Sequence, residues 1–144
     1  MAIDARPWNL RESYLFDRTT IAEIQRAVQA RQWAYAPYSQ FAVGAALRSA
    51  AGQIWNGCNV ENGSYGLTIC AERVSVGTAV AAGVRQFTGI AVAATGPATP
   101  CGACRQVLAE FGLDLTGESV GPSTRLSWSL RQLLPEAFGP GNLS

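Results

Sequence analysis

The chain has 144 residues, 48% of them hydrophobic and 15% charged, with a formal net charge of +1. Those proportions describe one compact domain with a substantial core, and exclude a disordered chain or an extended electrostatic footprint for nucleic acid. Histidine is absent and all eleven basic residues are arginines, which removes histidine triads, Cys–His pairs, Schiff-base lysines and P-loop lysines.

Residues 1–18 show no clean period and read as an irregular, partly packed N-terminal arm ahead of a single domain over 19–144. The arm lacks the organisation of a secretory signal, its acidic Asp4, Glu12 and Asp17 argue against a transit peptide, and no apolar stretch reaches membrane-spanning length. A cytoplasmic protein without membrane or nucleic-acid partners is the expectation. Thr20 and Glu23 form a capping box, and Ile21, Ile24 and Val28 the inner stripe of a helix that stops before Ala36-Pro37. Phe41, Val43, Ala45 and Leu47 alternate as a strand, a turn follows at Ala50-Ala51-Gly52, and a second strand covers Ile54 to Val60. A Gly/Ser/Asn loop over 62–66 leads to a helix beginning near Cys70, with Val76, Ala79 and Val80 inside and Gly83 as its stop. Ile90 to Ala94 reads as a buried strand, and Cys104, Val107, Leu108 and Phe111 as a helix closed by Gly112. Strands within 113–120 and 125–128, then a helix through Leu130, Leu133 and Leu134, complete the chain. This order predicts an α/β fold: a three-layer α-β-α sandwich around a mixed, five-stranded central sheet.

The strongest chemical signal is Cys70-Ala71-Glu72 followed by Pro100-Cys101-Gly102-Ala103-Cys104. Both cysteine groups fall at predicted helix starts, where unsatisfied N–H groups and the helix dipole favour thiolates. Three thiolates suit zinc and leave its fourth tetrahedral position for water. Glu72, two residues past a ligand, is within reach of that water and can relay its proton to a leaving group. A redox Cys-x-x-Cys pair, ordinary buried cysteines, or a structural zinc site closed by Cys58 are the competing readings. Together with the proline before Cys101, the two motifs match the zinc deaminase signature, with cysteine where many members carry histidine.

Longer stretches extend the match. Tyr35-Ala36-Pro37-Tyr38-Ser39, Phe41 to Leu47, Gly57 to Asn62, Ser64-Tyr65 and Ile69 to Arg73 resemble the small, homotetrameric cytidine deaminases in register. Pro100 to Gln106, Leu133-Leu134-Pro135 and Ala137-Phe138 continue the resemblance, which covers about 20–140. It implies zinc held by Cys70, Cys101 and Cys104, and attack of an activated water at C4 of the cytosine ring. Glu72 would move protons to N3 and to the leaving amine, converting cytidine or deoxycytidine to uridine or deoxyuridine in pyrimidine salvage. The same resemblance implies that Asn59 and Glu61 hold the ribose 3′-hydroxyl, that the Ala71 amide meets the base carbonyl, and that Phe41 and Val43 pack on the pyrimidine. Gly63, Tyr65 and Phe138 would act in a neighbouring subunit's site.

On pattern alone Phe41 and Val43 are core residues, Phe138 is a packing anchor, and Asn59 with Glu61 is as much a solvated strand edge as a ligand face. Cys58 reads as a buried small hydrophobe. Arg73 has a motive of its own: three thiolates and Zn²⁺ sum to −1, and a guanidinium donating to sulfur restores the metal's Lewis acidity. Two residues depart from the family's habit: Gly63, where alanine is common, and Glu136, a carboxylate in a segment usually apolar. Glu136 is expected at the pocket rim, where it would alter tolerance for N4-modified cytidines. The alternative function is a zinc deaminase of another aminated nucleoside or a nucleoside antibiotic.

Overall fold

The computed structural model describes Trp8, residues 17–96 and residues 98–143. Most of the N-terminal arm therefore lies outside the described residues. In chain order the elements are α1 (Arg18–Arg31), β1 (Gly44–Ser49), β2 (Ile54–Cys58), α2 (Ala71–Ala81), β3 (Phe87–Ala93), α3 (Gly102–Ala109), β4 (Thr116–Val120), β5 (Arg125–Ser129) and the short α4 (Leu130–Leu133). The sheet runs β2-β1-β3-β4-β5. Every neighbouring pair is antiparallel except β3 and β4, whose parallel pairing needs the α3 crossover. The five-stranded mixed sheet and its two helical layers agree with the sequence expectation.

α1 starts earlier than the capping box suggests. The Asp17 side chain accepts the Thr20 amide at 2.7 Å and caps the helix, so Thr20 and Glu23 both lie inside it. Ile24 and Ala27 pack on Ala46, Ala91, Ala93 and Val120, which carry one face of the sheet. Close approach here depends on Gly44, where a Cβ would sit 2.1 Å from the Ala27 carbonyl oxygen. The opposite face presents Leu47, Ile90 and Val92 to Val76 and Ala79 of α2 and to Leu108 of α3. Burial of each large aliphatic side chain there contributes about 2 kcal/mol.

β1 begins at Gly44, so Phe41 and Val43 precede the strand instead of belonging to it. Residues Gly44 to Leu47 are all buried, because a central strand with helices on both sides has no solvent face. β2 likewise ends at Cys58, short of Val60; the chain then peels away, and Val60 makes isolated bridges to Tyr35 and Ile69.

Glu23, 3% exposed, faces the sheet and pairs with Arg48 Nη1 at 3.2 Å. Burial outweighs the attraction of Arg48 and raises its carboxyl from 4.5 to about 7, with Glu118 and Asp17 adding to the rise. The native state therefore binds a proton more tightly than the unfolded chain. Its stabilising effect is complete below pH 4.5 and is lost as pH rises through about 7, a span worth up to about 3 kcal/mol. The melting temperature is expected to fall between pH 5 and pH 8, and Glu23→Gln to flatten that slope. Thermal unfolding of the two proteins across this range checks it, and equal slopes would refute the assignment.

Candidate active site

Two helix starts converge at one end of the sheet. Gly57 of β2 makes this possible for α2, since a Cβ there would meet the Ala71 carbonyl oxygen at 2.3 Å and the Ser75 amide nitrogen at 2.5 Å. Cys70 caps α2 and Cys101 caps α3, neither with a side-chain capping hydrogen bond, and Cys104 follows in the first turn of α3. The three sulfurs lie within 4.8 Å of one another, with 3.9 Å between Cys70 and Cys101 and 3.5 Å between Cys101 and Cys104. Tetrahedral zinc with bonds of ~2.3 Å would space its sulfurs ~3.8 Å apart, so the donor set fits that ion.

Cys58 takes no part in this cluster. It is half-buried, and its thiol donates to the Trp33 carbonyl at 3.4 Å. This corrects both readings of Cys58, as a closing ligand and as a purely apolar filler. Among the described residues the set has three donors, which leaves one tetrahedral position for water, the pattern of catalytic zinc sites.

The local electrostatics follow from the clustering. A hydrogen bond from the Cys104 thiol, helped by Arg73, lowers the Cys70 thiol to about 5. Sharing with Cys70, together with burial, pushes Cys104 up, so without metal one sulfur ionises ahead of the other. Arg73 Nη2 reaches Cys70 Sγ at 3.6 Å and the Thr68 carbonyl at 3.4 Å, the sulfur contact anticipated from charge counting. Glu72 is 5% exposed, with Oε2 3.7 Å from Cys104 Sγ. Burial raises its carboxyl above the usual range, which suits a group that must hold and return a proton.

A cavity of about 250 Å³ opens beside these groups. Phe41, Val43, Asn59, Glu61, Cys70, Ala71, Glu72 and Cys101 line it, together with Ser39, Thr68, Val92, Ala98 and Thr99. Asn59 Oδ1 accepts the Val43 amide at 2.9 Å while its Nδ2 donates to the Phe41 carbonyl at 2.8 Å. One amide hydrogen and one lone pair remain for a ligand. Glu61 accepts the Tyr38 and Ser39 amides at 2.9 and 3.1 Å and the Ser39 hydroxyl as well. The Ser39 hydroxyl holds its carboxyl below the usual range, so it stays a charged acceptor at neutral pH.

Gly63, Tyr65 and Phe138 do not reach this cavity within one chain. Tyr65 stacks at a tilt on Tyr38, ring centres 5.7 Å apart, and lines an adjoining recess with Ser39, Glu61 and Thr68. Gly63 is exposed, and a Cβ there would sit 3.1 Å from the Tyr38 hydroxyl, so an alanine would press on that ring. Phe138 borders a separate groove beside Ala109 and Leu113. Glu136 is exposed in a left-handed backbone conformation (φ 54°) and is not among the residues lining the cavity.

Sequence reasoning gave no role to Ser39, Thr68, Ala98, Thr99 or Arg105. The Arg105 guanidinium donates to the Pro100 carbonyl at 2.6 Å, the Leu133 carbonyl at 2.8 Å and Thr99 Oγ1 at 3.1 Å, tying the loop before Cys101 to α4. Ser119 Oγ donates to the Ala98 carbonyl and accepts from Trp128 Nε1, both at 2.9 Å. The available signal was position: Arg105 stands one helical turn after Cys101 and faces the same loop.

Sulfur ligation with a position to spare, at the helix ends of a mixed α/β sandwich, marks a zinc-dependent hydrolase. Residues 18–116 match the family model described as the cytidine and deoxycytidylate deaminase zinc-binding region. The chain belongs to this family, and its metal is zinc. A cytidine deaminase of Sporosarcina psychrophila is 46% identical over 128 residues, covering 84% of this chain and 92% of the relative. One from Halalkalibacterium halodurans is 54% identical over 90 residues, covering 61% of this chain and 68% of the relative. The crystal structure of cytidine deaminase from Burkholderia pseudomallei aligns with a TM-score of 0.79 at 48% identity, covering 82% of this chain and 98% of that one.

Proposed function

We propose that the protein is a cytidine deaminase, hydrolysing cytidine and deoxycytidine to uridine and deoxyuridine with release of ammonia. The observation that carries this reading is the buried Glu72 carboxyl beside three clustered thiols, at a cavity that also exposes Asn59 and Glu61. Cys70, Cys101 and Cys104 hold the zinc, which makes a water nucleophilic at neutral pH when bound. Glu72 would take one proton from the attacking water and give it to N3 of the base, then take the second from the new C4 hydroxyl and give it to the departing amine. The Ala71 amide, in the first turn of α2 with no intrahelical acceptor, serves the base carbonyl. Phe41 and Val43 flank the pyrimidine, while Asn59 and the charged Glu61 take the ribose 3′-hydroxyl.

Arg73 keeps the sulfurs from donating too much charge to the metal. Arg73→Ala is expected to retain zinc while kcat falls roughly 10–100-fold. Zinc content and turnover measured side by side check this, and wild-type turnover in the zinc-loaded variant would remove the role.

Our reading also includes a homotetramer in which Gly63, Tyr65 and Phe138 serve a neighbouring cleft. Its support is the number of exposed large apolar side chains among the described residues, Trp33, Tyr35, Tyr65 and Ile69 among them, with Trp33 81% exposed. Residues 19–144 form the catalytic domain and 1–18 an arm, in a cytoplasmic enzyme of pyrimidine salvage. Among the described residues no helix is long and apolar enough to cross a membrane. The decisive experiment follows ammonia release from cytidine, deoxycytidine and N4-substituted cytidines. Zinc-replete protein that leaves both cytidine and deoxycytidine untouched would overturn the proposal.

A further inference from the structure

Trp8 lies ahead of the segment that matches the family model, which begins at residue 18. It is nevertheless 9% exposed, packed into the cluster of Ile24, Ala27, Ala46, Ala91, Ala93 and Val120 on the α1 face of the sheet. Its ring sits 5.2 Å from the guanidinium carbon of Arg31, the last residue of α1. Arg31 is itself 5% exposed, and its Nε donates to the Ala42 carbonyl at 3.0 Å. A guanidinium buried this deeply needs its polar edge bonded, and the Trp8 ring adds a desolvated cation–π contact on its face.

Ala42 is the middle residue of the extended segment that forms one wall of the substrate cavity. Successive peptide groups in extended chain point to opposite sides. On the cavity side the Asn59 side chain takes the Phe41 carbonyl and the Val43 amide. On the α1 side Arg31 takes the Ala42 carbonyl between them. The wall is therefore held from both sides, and the outer hold rests under Trp8.

The geometry points to Trp8 as a positioning residue for substrate binding, acting through Arg31 on the Phe41–Val43 wall. Trp8 thereby sets substrate affinity from outside the residues that line the cavity. This inference rests on the deaminase reading for its substrate, while its mechanical part stands independently. A side chain that merely stabilised the fold would change melting temperature and yield of active enzyme and leave KM alone.

The test compares Trp8→Ala, Trp8→Phe and Val120→Ala in full-length, zinc-loaded enzyme, with rates normalised to zinc content. Val120 belongs to the same buried cluster and supplies the purely structural control. Trp8→Ala is expected to raise KM for cytidine about fivefold with kcat within about twofold, the scale of a lost, largely desolvated cation–π contact. Trp8→Phe keeps an aromatic face and restores KM; Val120→Ala lowers the melting temperature with KM unchanged. Hydrogen exchange at the Val43 amide supplies a readout besides activity, expected to speed about tenfold in Trp8→Ala and to stay at the wild-type rate in Val120→Ala. An unchanged KM in Trp8→Ala, no recovery in Trp8→Phe, or equal KM rises in Trp8→Ala and Val120→Ala would overturn the inference. If wild-type enzyme leaves cytidine untouched, the functional reading fails and Val43 exchange alone decides the inference, an unchanged rate in Trp8→Ala refuting it.

Discussion

Replacing Glu72 with glutamine is expected to lower kcat by about three to four orders of magnitude while zinc remains bound. Glutamine matches glutamate in shape and fills the same enclosed space, so the change removes the titratable proton and little else. Glu72 is not one of the clustered sulfur donors, which is why metal content is expected to survive. KM is expected to change far less than kcat, because the proton transfer is made only on the way to the transition state. Stability offers an independent sign. Burial already disfavours the Glu72 carboxylate, so a neutral amide there is not expected to lower the melting temperature. The measurements are turnover, zinc content and thermal unfolding on one preparation. A variant that keeps more than about a tenth of wild-type kcat would show that the proton moves through another group.

Cys104→Ala is expected to weaken zinc binding about a thousandfold and to abolish activity. Cys104 is the fully buried member of the trio, and its sulfur lies 3.5 Å from Cys101 and 3.7 Å from Glu72. Losing one of three thiolates removes roughly a third of the ligand energy of a site of this kind. On the scale of thiolate zinc sites that is about 4 kcal/mol, or near a thousandfold in affinity. Competition with a chelator measures the affinity directly. Wild-type enzyme is expected to lose melting temperature when the chelator removes zinc, and Cys104→Ala to show no such response. Cys58→Ala supplies the contrast: its thiol bonds to the Trp33 carbonyl away from the cluster, so zinc content should match wild type. Loss of zinc in Cys58→Ala would restore the four-cysteine structural reading.

The parts of the site that were legible in the sequence share one property: they are local. Cys70 and Cys101 fall at helix starts because a capping position, a proline and an apolar period announce those helices within a few residues. Glu72 and Arg73 follow Cys70 on the same first turns of α2, so their nearness to the metal ligands needs no tertiary contact. The helix start at Asp17 was missed because two capping signals compete three residues apart, and only packing of Glu23 against Arg48 selects between them. Phe41 and Val43 looked like strand residues because alternation persists in extended chain whether or not a partner strand is present.

Asn59 illustrates the other class. Its pattern fits a ligand face or a solvated edge equally, and the choice depends on backbone groups 16 and 18 residues away. Arg105 reaches the Leu133 carbonyl 28 residues on, and Arg31 reaches Ala42 under a tryptophan from the N-terminal arm. By itself the sequence determined the reagents: no imidazole, no lysine amine, four thiols with three of them in two short motifs, and a carboxylate and an arginine beside Cys70. It also determined the α/β order, because hydrophobic period and turn residues act over a few positions. Only the tertiary structure decided which polar groups are already committed to backbone and which remain for a ligand. Those commitments are hydrogen bonds between distant segments, made only when the sheet and its two helical layers close around them.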